Sequence, residues 1–123
     1  MHKLDASIDA PPILEREATL RRLRGDREFL ASLYEIFLED MPRRARELRE
    51  ATRTRDFSGM SRSAHSLRGA AATVGALALR QHAENLERSL REGGIDAALP
   101  LVHDVLAMSD TTLESIAKAL ALR

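Results

Sequence analysis

Apolar residues recur every three or four positions along nearly the whole chain, and this spacing constrains the fold more than any other feature. A period near 3.6 residues is that of an amphipathic α-helix, and no long segment alternates apolar and polar residues as a half-buried strand would. Alanine, leucine, arginine and glutamate dominate the composition, and these residues favour helices. The sequence therefore predicts an all-α fold without strands.

Glycine, proline and capping residues divide this pattern into five predicted helices. The predicted spans are 13–24, 26–54, 56–75, 76–92 and a last helix that begins near residue 96. Asp26 and Asp56 are placed to cap two of these helices, and Gly93 with Gly94 ends the fourth. Pro42 should bend or briefly break the long second helix. Short connections between long amphipathic helices predict an antiparallel four-helix bundle with an additional short N-terminal helix.

Length and charge limit the functions that such a chain can have. Its 123 residues suffice for one core and are too few for a nucleotide-binding domain plus a second domain. Nineteen basic residues balance nineteen acidic ones, so no net charge attracts the protein to nucleic acid or to an anionic membrane. Without cysteine, a signal-like segment or a long apolar run, we expect a cytoplasmic setting.

The two ends of the chain differ in pattern, which suggests a domain boundary. Residues 1–12 lack helical periodicity and finish in two consecutive prolines, so we interpret them as a flexible tail or the end of a linker. Residues 13–123 form the predicted helical domain. The sequence leaves open whether this domain stands alone or belongs to a larger protein.

One stretch, AHSLRGAAATVGA at 64–76, is almost entirely small or apolar apart from a histidine and an arginine. At about 100° per residue, His65 lies roughly 160° from the apolar stripe around Leu67 and should face water. Arg62 and Arg68 lie about 60° to either side of it. The small residues predicted on the same face are Ser58, Ser61, Gly69, Ala72 and Ala76. An accessible imidazole beside a guanidinium, which can hold an oxyanion with two hydrogen bonds, suits phosphate chemistry.

Simpler interpretations of this histidine remain open on the residues alone. Small residues also let a second helix pack closely, and an exposed histidine is often only a solvated side chain. The other histidines, His2, His82 and His103, are expected to have no functional role. A di-iron bundle requires glutamate three residues before histidine on an inward face, and none of the four histidines has it.

The stretch resembles the signature of histidine-containing phosphotransfer (HPt) domains, in which Ala-His-x-Leu-Lys-Gly precedes small residues and a Leu/Val-Gly-Ala end. The segments LRRLRGDREFLASLYEIFLEDMP, RDFSGMSRSAHSL and ALRQHAENLERSLREGGIDAA also resemble the family, so the likeness covers about residues 13–121. It implies that His65 is the phosphoryl acceptor. By the same resemblance, Arg68 replaces the usual lysine and stabilises the phosphate, and Gly69 gives a partner access.

The resemblance also implies partners and a reaction. We expect His65 to exchange phosphoryl groups with aspartates of response-regulator receiver domains, with a hybrid sensor histidine kinase as a further partner. Docking is expected through the strip around the histidine and one edge of the second helix, where two residues are chosen from helical angle alone. The candidate docking residues are Ser61, Arg62, Ala72, Tyr34 and Leu38.

Other expectations concern cofactors, partner classes and activities that the protein should lack. We expect a monomer with no cofactor of its own, magnesium being supplied on the receiver, and with no nucleic-acid or membrane partner. The sequence contains no GxxxxGK[ST] phosphate-binding loop, so we expect a phosphoryl-transfer intermediate without ATP-dependent kinase activity. The alternative function is that of a noncatalytic helical adaptor in which His65 takes no part.

Overall fold

The computed structural model describes residues 10–122, and within them the chain is helical and contains no strand. The helices are α1 (Arg16–Arg22), α2 (Arg27–Arg53), α3 (Phe57–Val74) and α4 (Leu77–Ala121). The all-α prediction is confirmed. No helix among these residues has the length and apolar character needed to cross a membrane.

The long helix α4 is kinked at Gly94, where φ is 80° and ψ is −173°. Glycine is the residue that adopts this conformation readily, because a Cβ would clash with the backbone. The kink separates a first arm, residues 77–93, from a second arm, residues 95–121. These arms correspond to the fourth and fifth predicted helices. Together with α2 and α3 they supply the four long helices of the predicted bundle, to which α1 is the short addition.

Two aspartates begin the long helices as their positions predict. Asp26 accepts a hydrogen bond from Phe29 N at 3.0 Å at the start of α2. Asp56 accepts one from Gly59 N at 3.0 Å at the start of α3. Each cap satisfies a backbone donor that has no partner inside its helix and stabilises the helix by about 1 kcal/mol.

Of the bend or brief break predicted at Pro42, the break is absent, because α2 continues through this residue as one helix. Pro42 is exposed, so the missing backbone donor lies on the solvent side. On the opposite side Phe37, Met41 and Leu48 are at most 4 % exposed. Burying three such side chains contributes about 1.5 to 3 kcal/mol each, which exceeds the penalty of about 3 kcal/mol for an internal proline.

The N-terminal helix is shorter than predicted and braces the α3–α4 junction. Glu15 N donates to Gly75 O at 2.8 Å, and Ala78 N donates to Pro12 O at 2.9 Å. Thr19 of α1 is buried against this junction, where Gly75 ends α3 with φ of 74°. Residues 1–9 of the predicted tail, including His2, lie outside the described residues.

Helix α3 packs against both α2 and α4 and carries the core stripe predicted for it. Met60, Leu67, Ala71 and Val74 are at most 1 % exposed. This stripe fixes the rotation of α3 about its own axis. The opposite face, which carries the histidine of interest, is therefore directed to solvent.

Candidate functional site

His65 lies near the middle of α3 and its side chain is 68 % exposed. The predicted orientation toward water is confirmed. A side chain this exposed contributes little to the core, so its position is set by the buried residues on the other side of α3. The bundle thus presents an imidazole on a rigid helix without using it for packing.

Small residues adjoin this imidazole along the exposed face of α3. Ser61 and Ala72 are half-buried and Gly69 is exposed. A Cβ at position 69 would meet no atom within 4 Å outside its own stretch of helix, so no neighbour in the bundle requires glycine there. We call Ser61, His65, Gly69 and Ala72 the His65 face. Because its side chains other than the imidazole are small, this face leaves the imidazole accessible to a large partner.

One predicted member of this surface is misplaced. Ala76 was expected on the exposed face, yet it is fully buried. The angular placement continued the helix to residue 76, whereas the left-handed backbone at Gly75 ends α3 and turns the chain toward α4. Arg62 does lie exposed beside the face, and its guanidinium donates to Ser58 Oγ at 2.9 Å.

Arg68 contacts the histidine directly. Its Nη2 lies 3.0 Å from His65 Nδ1, and the arginine side chain is 38 % exposed. The two residues are one helical turn apart, which is the spacing at which side chains on a helix meet. This arginine therefore brings a positive charge to the imidazole, as the sequence predicts.

A carboxylate that the sequence analysis missed completes the site. Glu87, on the first arm of α4, places Oε2 at 3.3 Å from His65 Nδ1 and Oε1 at 3.2 Å from Arg68 Nε. Its side chain is only 19 % exposed. A signal was present in the sequence, since Glu87 lies about 40° from Ala83 at the margin of the apolar stripe of its helix. One acidic group on a neighbouring helix thus contacts both predicted functional side chains.

A groove of about 150 Å³ between α2 and α3 flanks the His65 face. Ile36, on the α2 side, is 53 % exposed. The Arg44 guanidinium of α2 donates to the hydroxyl of Ser66, which is the residue next to His65. The residues that line the groove are Leu33, Ile36, Phe37, Asp40, Met41, Arg44, Ala70, Thr73 and Val74. The groove therefore offers apolar contact area between α2 and the helix that carries His65.

Of the two α2 residues predicted to dock a partner, Tyr34 is wrong because it is buried, and Leu38 stays a prediction. Tyr34 is 2 % exposed, and Leu38 is half-buried against the core, so neither lines the groove. They lie about 60° and 100° to one side of Phe37, whereas Leu33 and Ile36 lie on the other side. The angle alone did not reveal which side of α2 adjoins α3.

Tyr34 has a structural peculiarity of its own. Its hydroxyl is buried and has no hydrogen-bond partner among the described residues. Burial raises the pKa of this phenol above its ordinary value of 10.0, and the nearby charge of Arg16 partly opposes that effect. The residue is a core side chain rather than a contact surface.

The remaining described histidines lie apart from this site. His82 is half-buried on the first arm of α4, and His103 is exposed on the second arm. Within residues 10–122, no group of three or more histidine, aspartate or glutamate side chains is arranged to hold a metal ion.

Comparisons with known proteins point to one family. A family model described as the Hpt domain matches residues 32–121. The HPT domain from the Hpt sensor hybrid histidine kinase from Shewanella is similar in structure, with a TM-score of 0.81 and 16% sequence identity, covering 90% of this chain and 96% of that one. The histidine-containing phosphotransfer protein B (HptB) from Pseudomonas aeruginosa PAO1 has a TM-score of 0.80 and 24% identity, covering 91% and 97%. No curated protein matches the sequence significantly.

Proposed function

This chain belongs to the Hpt domain family, and we propose that His65 is the side chain on which it carries the phosphoryl group. Its role is histidine phosphotransfer in a two-component phosphorelay. The observation that supports His65 is the contact of 3.0 Å between its exposed imidazole and the Arg68 guanidinium. His103 is also exposed, but it makes no hydrogen bond or ion pair with a lysine or arginine among the described residues.

The reaction we propose is a reversible displacement at phosphorus. A lone pair on a ring nitrogen of His65 forms a bond to the phosphorus of an aspartyl phosphate on a receiver domain. The bond from phosphorus to the aspartate oxygen breaks, and its electron pair leaves on the carboxylate. The reverse step returns the phosphoryl group to an aspartate. His65 Nδ1 is already contacted by Glu87 and Arg68, so Nε2 is the nitrogen available for attack.

Arg68 and Gly69 assist this transfer in different ways. The Arg68 guanidinium offsets negative charge on the phosphoryl group, an effect on the order of 1 kcal/mol at an exposed site and larger when a docked partner excludes water. Gly69, without a side chain, lets the receiver approach the imidazole closely. Neither residue is the nucleophile.

The partner class we propose is the receiver domain, with a hybrid sensor histidine kinase as a further candidate. The docking surface combines the His65 face with the groove between α2 and α3, so Leu33 and Ile36 replace Tyr34 as its apolar contacts on α2. We further propose that magnesium is bound by the receiver and that this chain does not phosphorylate itself from ATP.

Transfer from a phosphorylated receiver tests this function. The wild-type protein should take up label from the receiver, and the bond should be lost in acid and kept in base, as expected of a phosphoramidate. His65→Gln should abolish uptake while thermal unfolding stays unchanged, because the side chain is 68 % exposed. His103→Gln, which changes another exposed histidine, is the matched control and should take up label normally. Uptake by His65→Gln at the wild-type rate would show that another residue is the acceptor, and a wild-type protein that takes up no label would favour the adaptor function.

A further inference from the structure

A cavity at one end of the bundle lies apart from the phosphotransfer site. It has a volume of about 580 Å³ and is formed by α1, the first turns of α2 and the end of α4. None of its described lining residues belongs to the His65 face or lines the groove between α2 and α3. Proteins bind small molecules in cavities of roughly 300–1,000 Å³, so this one has a suitable size for a ligand.

Part of the cavity wall is apolar. Leu30 and Ala31 from α2 are at most 5 % exposed, and Ala119 and Leu120 from α4 are half-buried. A hydrocarbon group placed against these side chains is removed from water, and each buried CH2 group strengthens binding about fourfold. The wall therefore favours a ligand with an apolar chain.

The wall also contains a buried hydroxyl group without a partner. Tyr34 lines the cavity and is 2 % exposed, and its Oη makes no hydrogen bond among the described residues. Native proteins pair nearly all of their buried polar groups, so an unpaired one requires an explanation. Burial raises the pKa of this phenol above its ordinary value of 10.0, so at neutral pH the hydroxyl keeps its proton and is a donor that lacks an acceptor.

Two guanidinium groups line the same cavity. Arg16 of α1 and Arg27 of α2 make no ion pair among the described residues. The charge of Arg16 acts on the Tyr34 phenol, so the guanidinium and the hydroxyl lie near each other. Glu28 is the one acidic side chain in the described part of the lining, and it leaves a net positive charge there. An unpaired guanidinium beside a donor hydroxyl attracts an anion.

We propose that this cavity binds a small organic carboxylate with an apolar chain, whose headgroup pairs with Arg16 and accepts a hydrogen bond from the Tyr34 hydroxyl. The chain of the ligand packs against Leu30 and Leu120. Because the Tyr34 hydroxyl is shielded from solvent, the headgroup reaches it when the half-buried Arg16 side chain turns to meet the anion. A monoanion matches the excess of one positive charge, whereas a phosphate dianion adds repulsion with Glu28.

Octanoate is the probe for this site, because it joins an alkyl chain to a single negative charge. Calorimetric titration of the full chain at pH 7 should give one site per protein. In a parallel NMR titration, the amide shifts should cluster at residues 27–34 and 119–122, which adjoin the cavity. 1-Octanol, which has the same chain without the charge, should bind at least about tenfold more weakly, because a hydrogen bond to a charged group strengthens binding about 10- to 160-fold.

Two substitutions test the polar contacts. Tyr34→Phe should weaken octanoate binding about 10- to 160-fold, and thermal unfolding without octanoate should show no loss of stability, because the hydroxyl has no partner among the described residues. Arg16→Gln should weaken binding by a similar factor. Arg21→Gln is the matched control, since Arg21 is exposed on the same helix and does not line the cavity. It should bind octanoate as the wild type does.

Several results would overturn the proposal. They are a wild-type protein that does not bind octanoate, equal affinity for 1-octanol, undiminished affinity in Tyr34→Phe, and amide shifts confined to other surfaces. A dimer in solution that Arg16→Gln dissociates would also overturn it, because the cavity would then be an interface between two copies. The inference is independent of the function proposed for His65, so His65→Gln should bind octanoate normally.

Discussion

Gly69 allows a sharp test of the docking surface, because stability and phosphotransfer should respond to its substitution in opposite directions. It lies inside α3, where glycine is about 1 kcal/mol less favourable than alanine. A Cβ at this position would meet no atom within 4 Å outside its own stretch of helix, so no clash opposes the gain. Gly69→Ala should therefore raise the free energy of unfolding by about 1 kcal/mol, or Tm by about 4 °C.

A second glycine of the same helix is the control for this stability change. A Cβ at Gly59 would collide with the carboxylate of Asp56, which caps the start of α3. Gly59→Ala should therefore gain no stability, because disturbing the cap costs about 1 kcal/mol and offsets the gain of about 1 kcal/mol from replacing a helical glycine. Thermal unfolding followed by circular dichroism measures both variants. A Gly69→Ala protein that is less stable than the wild type would refute the reasoning.

The functional half of the test uses a larger side chain. Gly69→Leu keeps a good helix former at an open position, so the variant should be at least as stable as the wild type. The leucine protrudes beside His65, where forcing extra atoms into a packed interface costs about 1 to 3 kcal/mol. Phosphoryl uptake from a receiver should then fall about 5- to 160-fold. Wild-type uptake by the stable leucine variant would show that the His65 face is not the docking surface.

Three further predictions concern single side chains. Arg68→Ala should slow transfer and shorten the lifetime of the phosphorylated protein without abolishing uptake, as measured by the decay of labelled phosphohistidine; unchanged decay would exclude its role. Leu67→Ala removes a fully buried side chain and should lower the free energy of unfolding by about 2 to 5 kcal/mol in urea denaturation; a loss below 1 kcal/mol would contradict the core assignment. Burial raises the pKa of Tyr34, so the free energy of unfolding should decline as pH rises above 10.0. Tyr34→Phe should remove that decline at no loss of stability near pH 7, because the buried hydroxyl has no partner among the described residues. An alkaline stability profile that the substitution leaves unaltered would reject this.

Much of the fold follows from residues that act locally. The stripe from Met60 to Val74 has helical periodicity, and it fixes which face of α3 is buried. Asp56 and Gly75 supply the chemistry that begins and ends that helix. Exposure of His65 then follows from its angle to the stripe. These features were predictable because each depends on a few neighbouring residues in one helix.

Features that depend on two helices at once were not predictable in this way. The contact of Glu87 with His65 requires the register of α4 against α3, which no local pattern determines. The burial of Tyr34, predicted as a docking residue, and the position of Ile36 in the groove both depend on which side of α2 adjoins α3. The continuous helix at Pro42 reflects burial on both sides of the proline, which outweighs a local preference.

The imidazole and the buried stripe lie on opposite faces of α3, and this arrangement determines how the protein can convey a signal. The stripe behind His65 is at most 1 % exposed and close-packed. A group added on the outer face of α3 therefore has no loosely packed segment through which to change the packing of the core. The message is held in a covalent bond on a rigid carrier rather than in an altered conformation. A partner must therefore recognise the modification by direct contact. Once the phosphoryl group is transferred, the bundle returns to its unmodified state.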